Sequence, residues 1–147
     1  MNKTLCFFLA DDDEDDVFLF REVLREVAPE AKFSSAVDGQ DALDKLKSAT
    51  MPLPHIIFLD LNMPRLDGRQ CLRELKTDNK LKNVPVVMYS TSSQQRDIEL
   101  CREMGAAAFI TKPSSVVVLK NLITGIAGTT TEDITGVLKK LTQQLQT

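Results

Sequence analysis

Residues 5–18, LCFFLADDDEDDVF, join an apolar run to an acidic one. The apolar part has the length and composition of a buried strand, and six consecutive carboxylates follow it at 11–16. Two carboxylates about 4 Å apart repel by about 4 kcal/mol at an effective dielectric constant of about 20, so a folded cluster needs a cation, raised pKa values or divergent directions. The stretch predicts either an acidic site at the end of a strand or an acidic run exposed to solvent.

The same change from a short apolar run to an amphipathic stretch recurs along the chain. Apolar residues at helical spacing follow each run, beginning with Val17, Phe20, Leu24 and Val27 after the first. This alternation predicts an α/β fold with a parallel sheet. The predicted strands are 5–10, 32–37, 55–59, 86–90 and 107–111.

Turn-forming residues divide the chain at the same places. Pro29 is expected to end the first helix, Asp38 and Gly39 to begin the second, and Gly105 to end the fourth. The chain has 147 residues, of which 43% are hydrophobic and 27% charged, with no linker-like segment and no repeat of fixed period. These features predict a single globular domain.

The acidity of the chain is local. The net charge is −3, but outside residues 11–16 the 18 Lys and Arg residues exceed the 15 remaining Asp and Glu residues. No stretch approaches the roughly 20 apolar residues of a membrane span, and the N-terminus lacks the pattern of a signal peptide. We therefore expect a cytoplasmic protein with no membrane partner.

Few residues are available for soft-metal sites or for histidine-based catalysis. The three cysteines, Cys6, Cys71 and Cys101, lie far apart without C-x-x-C spacing, so reduced thiols are expected rather than zinc ligands or disulfides. His55 is the one histidine, which excludes a multi-histidine metal site and leaves a Ser/His/Asp triad with a single candidate base.

Polar residues follow four of the five predicted strands. The first ends in Asp11 and Asp12, the third in Asp60, the fourth in Ser90 and the fifth in Lys112. Ligands of an open parallel sheet bind outside the carboxyl ends of the strands, where the strand order reverses. Three carboxylates, a hydroxyl and an ammonium group are thus expected at one edge of the sheet.

These residue types fit one chemistry. A carboxylate can attack phosphorus and form an aspartyl phosphate, but its charge must first approach an anionic donor. Mg²⁺ takes oxygen ligands from carboxylates, phosphate and water, and it would also relieve the repulsion within the acidic run. A lysine can supply charge, and a hydroxyl a hydrogen bond, to the phosphoryl oxygens.

Taken singly, these residues have commoner roles. Asp11 and Asp12 alone would more often cap a helix, and Lys112 would be a solvated surface charge. Ser90 would be a strand-end hydroxyl with no chemical role, and Phe109 would belong to the core. Their joint placement at the strand ends favours the site.

A calcium-binding loop is a sharper alternative for the acidic run. Asp11, Asp13, Asp15 and Glu22 stand at positions 1, 3, 5 and 12 of such a loop. The loop requires a glycine at position 6, where this chain has Asp16, and the segment has helical periodicity.

The chain resembles the receiver domain of two-component response regulators, the family that includes the chemotaxis regulator. The features that carry the resemblance are the acid pair at 11–12, DLNMPRLDG at 60–68, Ser90 and TKP at 111–113. The resemblance covers about residues 3–128. It implies a flavodoxin-like, doubly wound five-stranded parallel sheet of order 2-1-3-4-5 with helices on both faces.

The resemblance also implies roles for individual residues. Asp60 would be the phosphoacceptor and a Mg²⁺ ligand, Asp12 a direct ligand, Asp11 a ligand through water, and the backbone carbonyl of Asn62 a further ligand.

Lys112 would contact the phosphoryl group and precede a cis proline, Pro113. Ser90 would be the switching hydroxyl, and Phe109 the aromatic residue that moves with it. Asp13 to Asp16 exceed what the metal needs and are expected to cap the first helix.

The implied function is a phosphorylation-controlled signalling module, not an enzyme in the usual sense, which phosphorylates itself from small phosphodonors and dephosphorylates itself. Its partners would be a histidine kinase or histidine phosphotransfer protein and a downstream target protein. The alternative is a phosphatase of the haloacid dehalogenase type. That class has D-x-D followed by threonine, whereas Leu61 and Asn62 follow Asp60, so the general acid is missing.

Residues 1–128 are expected to form the receiver domain, and 129–147 a C-terminal extension too short for a DNA-binding output domain. We therefore expect a stand-alone regulator that does not bind nucleic acid. Ile134, Leu138, Leu141 and Leu145 fall on one helical face, which predicts a helix over 131–145 packed on its own receiver or on a second subunit in a homodimer.

Overall fold

A computed structural model describes residues 4–128, 134, 136–138 and 140 of the chain. Strands and helices alternate through residues 4–128. The strands are β1 (Cys6–Ala10), β2 (Lys32–Ala36), β3 (Ile56–Leu59), β4 (Val86–Ser90) and β5 (Ala108–Thr111). The helices are α1 (Glu14–Val27), α2 (Gly39–Leu46), α3 (Gly68–Thr77), α4 (Gln95–Glu103) and α5 (Val116–Ala127).

The strands form one parallel sheet in the order β2-β1-β3-β4-β5. This order confirms the predicted fold, and each predicted strand agrees with the observed one to within one residue at either end. The order reverses between β1 and β3, so the crevice at their carboxyl ends is where this sheet type binds ligands.

Both faces of the sheet are covered by helices, because successive strand residues point to opposite faces and nearly all of those in β1, β3 and β4 are apolar. Phe8 and Ile57 lie on one face, in a buried cluster that includes residues of α2, α3 and α4. Phe7 and Phe58 lie on the other, with buried residues of α1 and α5.

The surplus acids begin α1, as predicted. Asp13 is its N-cap, and the Asp13 carboxylate accepts hydrogen bonds from the backbone N–H groups of Asp15 and Asp16. Carboxylates in a first helical turn satisfy exposed N–H groups and are favoured by the helix dipole. Since α1 starts at Glu14, the segment is helical and does not form a calcium-binding loop.

The turn residues occupy the expected positions. Asp38 caps α2, and Gly39 lies against the β3–α3 loop, where an added Cβ would be 2.0 Å from the carbonyl oxygen of Leu66. Gly105 follows the end of α4 with φ of 103°, a conformation that glycine adopts without steric cost.

The described residues of the C-terminal extension, 134, 136–138 and 140, are helical. Ile134 and Leu138 are buried in the cluster that contains residues of α1 and α5, as the predicted apolar face requires. Leu141 and Leu145 lie outside the described residues. Within the described part of the chain, no helix has the length and apolar character needed to cross a bilayer.

We expect Leu138→Ala to lower the free energy of unfolding by about 2–5 kcal/mol, because it removes buried methyl groups and leaves a cavity. Val137→Ala is the matched control, since Val137 is only half-buried, and it should cost about 1 kcal/mol or less. Urea unfolding followed by circular dichroism measures both. Equal, small losses would show that this part of the extension does not stabilise the receiver.

Candidate functional site

The five predicted polar side chains meet at the carboxyl edge of the sheet. Asp11 and Asp12 follow β1, Asp60 follows β3, Ser90 is the last residue of β4, and Lys112 follows β5. Asp11, Asp60 and Ser90 are buried, with 1%, 7% and 0% of their surfaces exposed, whereas Asp12 is exposed. The predicted arrangement is therefore present.

Backbone hydrogen bonds hold these residues in place. The N–H of Asp60 donates to the carbonyl of Ala10 at 2.9 Å, and the N–H of Lys112 donates to the carbonyl of Ser90 at 2.7 Å. The sheet pairing thus extends one residue beyond the strands, and rigid elements position the polar side chains.

The three carboxylates can share one cation. One oxygen from each of Asp11, Asp12 and Asp60 lies within 4.8 Å of the others. Oδ2 of Asp11 is buried and accepts no hydrogen bond, although Lys112 Nζ lies 2.8 Å from it as an ion-pair partner. An orphaned, buried carboxylate oxygen beside two further carboxylates is a donor set that suits a hard divalent cation.

The electrostatics of the site explain how the six consecutive carboxylates at 11–16 are tolerated in the folded chain. Burial raises the pKa of Asp11 to about 6, and the neighbouring Lys112 ammonium opposes that rise. Asp13 caps α1 and Asp15 lies in its first turn, and both carboxylates are exposed to solvent. The raised pKa of Asp11, the Lys112 counter-ion and the different directions of the acidic side chains all reduce the repulsion within the acidic run.

Lys112 is the cation at the centre of the site. Its Nζ lies 2.8 Å from Asp11, 2.8 Å from Asp16 and 3.1 Å from Asp60, and its side chain is 10% exposed. Burial alone would lower the pKa of this ammonium, but the ion pair with Asp11 and the hydrogen bond to Asp16 raise it above its ordinary value. Lys112 therefore stays charged.

Asp16 was not predicted to reach the site. The sequence places it among the capping acids of α1, yet its Oδ2 accepts a hydrogen bond from Lys112 at 2.8 Å. One signal was available: Asp16 lies four residues before Phe20, which is fully buried, so the two share the inner face of α1.

The β3–α3 loop closes tightly after Asp60. The backbone N–H of Asn62 lies 3.4 Å from Asp60 Oδ1, and the N–H of Gly68 donates to the carbonyl of Leu61 at 2.8 Å. An added Cβ at Gly68 would be 2.3 Å from the carbonyl oxygen of Asp60, so only glycine fits. The role of the Asn62 carbonyl as a metal ligand stays a prediction.

An ion pair fixes the same loop from outside. Arg65 has φ of 65° and donates two hydrogen bonds to Asp38, at 2.8 and 3.0 Å. These hydrogen bonds lower the pKa of Asp38. The pair joins the β3–α3 loop to the start of α2, and no local sequence pattern indicates it.

Ser90 belongs to a hydrogen-bond network that spans α3 and α4. Its Oγ accepts from the N–H of Ser92 at 3.2 Å, Ser92 Oγ donates to Asp97 at 3.0 Å, and Arg69 donates to Asp97 at 2.7 Å. The hydrogen bond from Arg69 lowers the pKa of Asp97. The contributions of Asp97 and Arg69 were not predicted.

Phe109 and Pro113 flank this region. Phe109 is 7% exposed and lies in the core cluster on the α2–α4 side of the sheet. No peptide bond in the described residues is cis, so the expected cis bond before Pro113 is wrong for this structure. The trans isomer is the more stable for an X–Pro bond, by about 0.5–1 kcal/mol.

Comparisons with known proteins agree with this geometry. The family model of the response regulator receiver domain matches residues 7–124. Response regulator Rcp1 from Synechocystis sp. is 30% identical over 138 residues, which cover 91% of this chain and 94% of Rcp1.

Solved structures are similar as well. The phosphorylated cyanobacterial phytochrome response regulator RcpA has a TM-score of 0.77 at 33% identity, covering 84% of this chain and 91% of RcpA. The Mn²⁺-bound form of Rcp1 has a TM-score of 0.74 at 31% identity, covering 83% of this chain and 91% of Rcp1. The fold, the acidic site suited to a divalent cation and the family match lead to one conclusion: the chain belongs to the response regulator receiver domain family.

Proposed function

We propose that this receiver domain is a phosphorylation-controlled switch in which Asp60 accepts a phosphoryl group, with Mg²⁺ as the cation, from a histidine kinase or histidine phosphotransfer protein. The observation that carries the proposal is the convergence at one sheet edge of a carboxylate, an ammonium and a buried oxygen without a hydrogen bond: Asp60, Lys112 and Asp11.

The proposed reaction is a phosphoryl transfer between side chains. A carboxylate oxygen of Asp60 forms a bond to phosphorus, the phosphorus–nitrogen bond of the donor phosphohistidine breaks, and the histidine nitrogen keeps the electron pair. Attack by water on the resulting acyl phosphate releases inorganic phosphate and restores Asp60, which is the autodephosphorylation that the resemblance implies.

The residues of the site have distinct tasks in this scheme. Mg²⁺ held by Asp11, Asp12 and Asp60 would neutralise charge on the transferring group. Lys112 stays protonated and can move one of its hydrogen bonds from Asp60 to a phosphoryl oxygen. The hydroxyl of Ser90, at the neighbouring strand end, can donate a further hydrogen bond.

The same hydroxyl supports a switching mechanism. A phosphoryl group adds charge and acceptor oxygens that can attract the Ser90 hydroxyl away from the N–H of Ser92. Because Ser92 also holds Asp97 at the start of α4, that movement would reach the β4–α4 loop and α4. It would extend to Phe109, which lies in the same buried cluster as Cys101 of α4. A changed surface there would alter binding to a downstream target protein.

We expect Ser90→Ala to keep phosphorylation but to block this response. Backbone amide NMR shifts measure it: phosphorylated wild type should show changes at Ser92 and Asp97, whereas phosphorylated Ser90→Ala should show changes only around Asp60. Ser93→Ala, at an exposed position of the same loop, is the matched control and should respond like wild type. If phosphorylated Ser90→Ala showed the same amide shift changes at Ser92 and Asp97 as the wild type, Ser90 would have no part in the switch.

The proposed function is tested with a radiolabelled, phosphorylated histidine kinase. Label should pass to this chain when Mg²⁺ is present and stay on the kinase when a chelator is added. Failure of several kinases and phosphotransfer proteins, and of acetyl phosphate, to label the chain would contradict the proposal. A cytoplasmic location, the absence of a nucleic-acid partner, the homodimer and the division into residues 1–128 and 129–147 stay predictions.

A further inference from the structure

Lys112 is surrounded by carboxylates: it donates hydrogen bonds to Asp16 and Asp60 and forms an ion pair with Asp11. An ammonium group has three hydrogen atoms, and Nζ of Lys112 has three acidic neighbours, Asp11, Asp16 and Asp60, at 2.8, 2.8 and 3.1 Å. Two of these neighbours follow strands of the sheet. Asp16 alone comes from a helix, in the first turn of α1.

Two of the three contacts of Lys112 involve carboxylates that would change partners during the proposed reaction. Asp60 changes from a carboxylate to an acyl phosphate, and Asp11 belongs to the carboxylate group that can bind a cation. Asp16 is not a member of that group. Its contact with Lys112 is therefore the one that can persist from the resting state through transfer.

The backbone of Asp16 is fixed in the first turn of α1. Its backbone N–H donates to the N-cap carboxylate of Asp13 at 3.3 Å, and its side chain is 36% exposed, so it is partly shielded from solvent. A fixed acceptor of this kind restricts the otherwise flexible four-carbon side chain of lysine.

We propose that Asp16 is a positioning residue, which holds the Lys112 ammonium beside Asp60 while the other two carboxylates change partners. The inference rests on the proposed function, because it assigns to Asp16 a part in phosphorylation of Asp60. Correct placement of a charged group contributes to rate through orientation, and misplacement by about 1 Å can cost up to about 100-fold.

The chain contains a matched control for this proposal. Asp15 is the preceding residue in the same turn, is exposed, and accepts no hydrogen bond from Lys112. Asp15→Asn and Asp16→Asn change the net charge and the charge at the start of α1 equally. Any difference between them therefore reports on the contact with Lys112.

The first measurement does not depend on phosphorylation. An amine-reactive acylating reagent is added to the chain without metal or phosphodonor, and modification of Lys112 is followed by peptide mass spectrometry. Asp16→Asn should raise the rate at Lys112 several-fold, Asp15→Asn should leave it unchanged, and Asp16→Glu should restore most of the protection.

The second measurement is the rate of phosphorylation by acetyl phosphate at saturating Mg²⁺. For Asp16→Asn we expect the maximal rate to fall about tenfold, with a KM that changes no more than in Asp15→Asn. Asp16→Glu should recover part of the maximal rate. Asp15→Asn should keep the wild-type rate, whereas a merely structural role for the carboxylate charge in α1 would lower the rate of both Asn variants equally.

The outcomes separate the two proposals. If wild type is not phosphorylated, the proposed function fails, whereas the labelling still decides whether Asp16 holds Lys112. If wild type is phosphorylated but Asp16→Asn labels and reacts like Asp15→Asn, the positioning role is wrong. Circular dichroism of each variant confirms that the fold is intact before either rate is compared.

Discussion

Asp60→Asn should take up no phosphoryl group from acetyl phosphate, while wild type gains one in the presence of Mg²⁺. The reason is chemical: an amide oxygen is a poor nucleophile, and the substitution also removes one of the three carboxylates that can share a cation. Intact-protein mass spectrometry measures the added phosphoryl group directly. Omission of the divalent cation should suppress it in wild type as well.

Asp15→Asn is the control for this experiment, because it makes the same chemical change at an exposed aspartate outside the site. It should be phosphorylated like wild type. A phosphoryl group that persists in Asp60→Asn would mean that another residue accepts it, and the assignment of Asp60 would be wrong.

Asp12→Ala should weaken Mg²⁺ binding far more than Asp15→Ala. Both residues are exposed acids of the same run, but only Asp12 offers an oxygen within 4.8 Å of Asp11 and Asp60. We expect a loss of at least about tenfold for Asp12→Ala, since even residues that only support a metal ligand typically contribute about 10–100-fold. Asp16→Ala, which the sequence alone would group with Asp15→Ala, is not an equivalent control because Asp16 contacts Lys112.

The chain carries its own probe for this titration. It contains one tyrosine and no tryptophan, and the ring of Tyr89 lies 5.9 Å from Lys112 Nζ, next to the proposed metal site. Tyrosine fluorescence can therefore follow Mg²⁺ binding in each variant, with isothermal titration calorimetry as a check. Equal losses in Asp12→Ala and Asp15→Ala would indicate a diffuse acidic patch in place of a metal site.

The fold and the edge of the site were predictable because both follow from local patterns. A parallel strand is buried on both faces, so runs such as Val86–Ser90 are apolar throughout and their ends are visible in the sequence. Once the strands are placed, Asp11, Asp60 and Lys112 must share an edge, since parallel strands end on the same side.

The contacts between helices and loops were not predictable in the same way. Lys112 and Asp16 are separated by 96 positions, and Arg65 and Asp38 by 27, so each pairing depends on how α1 or a loop docks on the sheet. Asp97 is a further case, because it reads as a surface acid in α4 but lies 9% exposed between Ser92 and Arg69. Charged residues are common on helix surfaces, and nothing local distinguishes those that turn inward.

The most direct test of the account is to trap the phosphorylated residue chemically. Sodium borohydride reduces an acyl phosphate to an alcohol, which converts a phosphorylated aspartate to homoserine, and peptide mass spectrometry then locates the change. We predict homoserine at position 60 alone, only after treatment with phosphodonor and Mg²⁺. Homoserine at Asp11 or Asp12, or an unreduced aspartate at position 60 in phosphorylated protein, would contradict it.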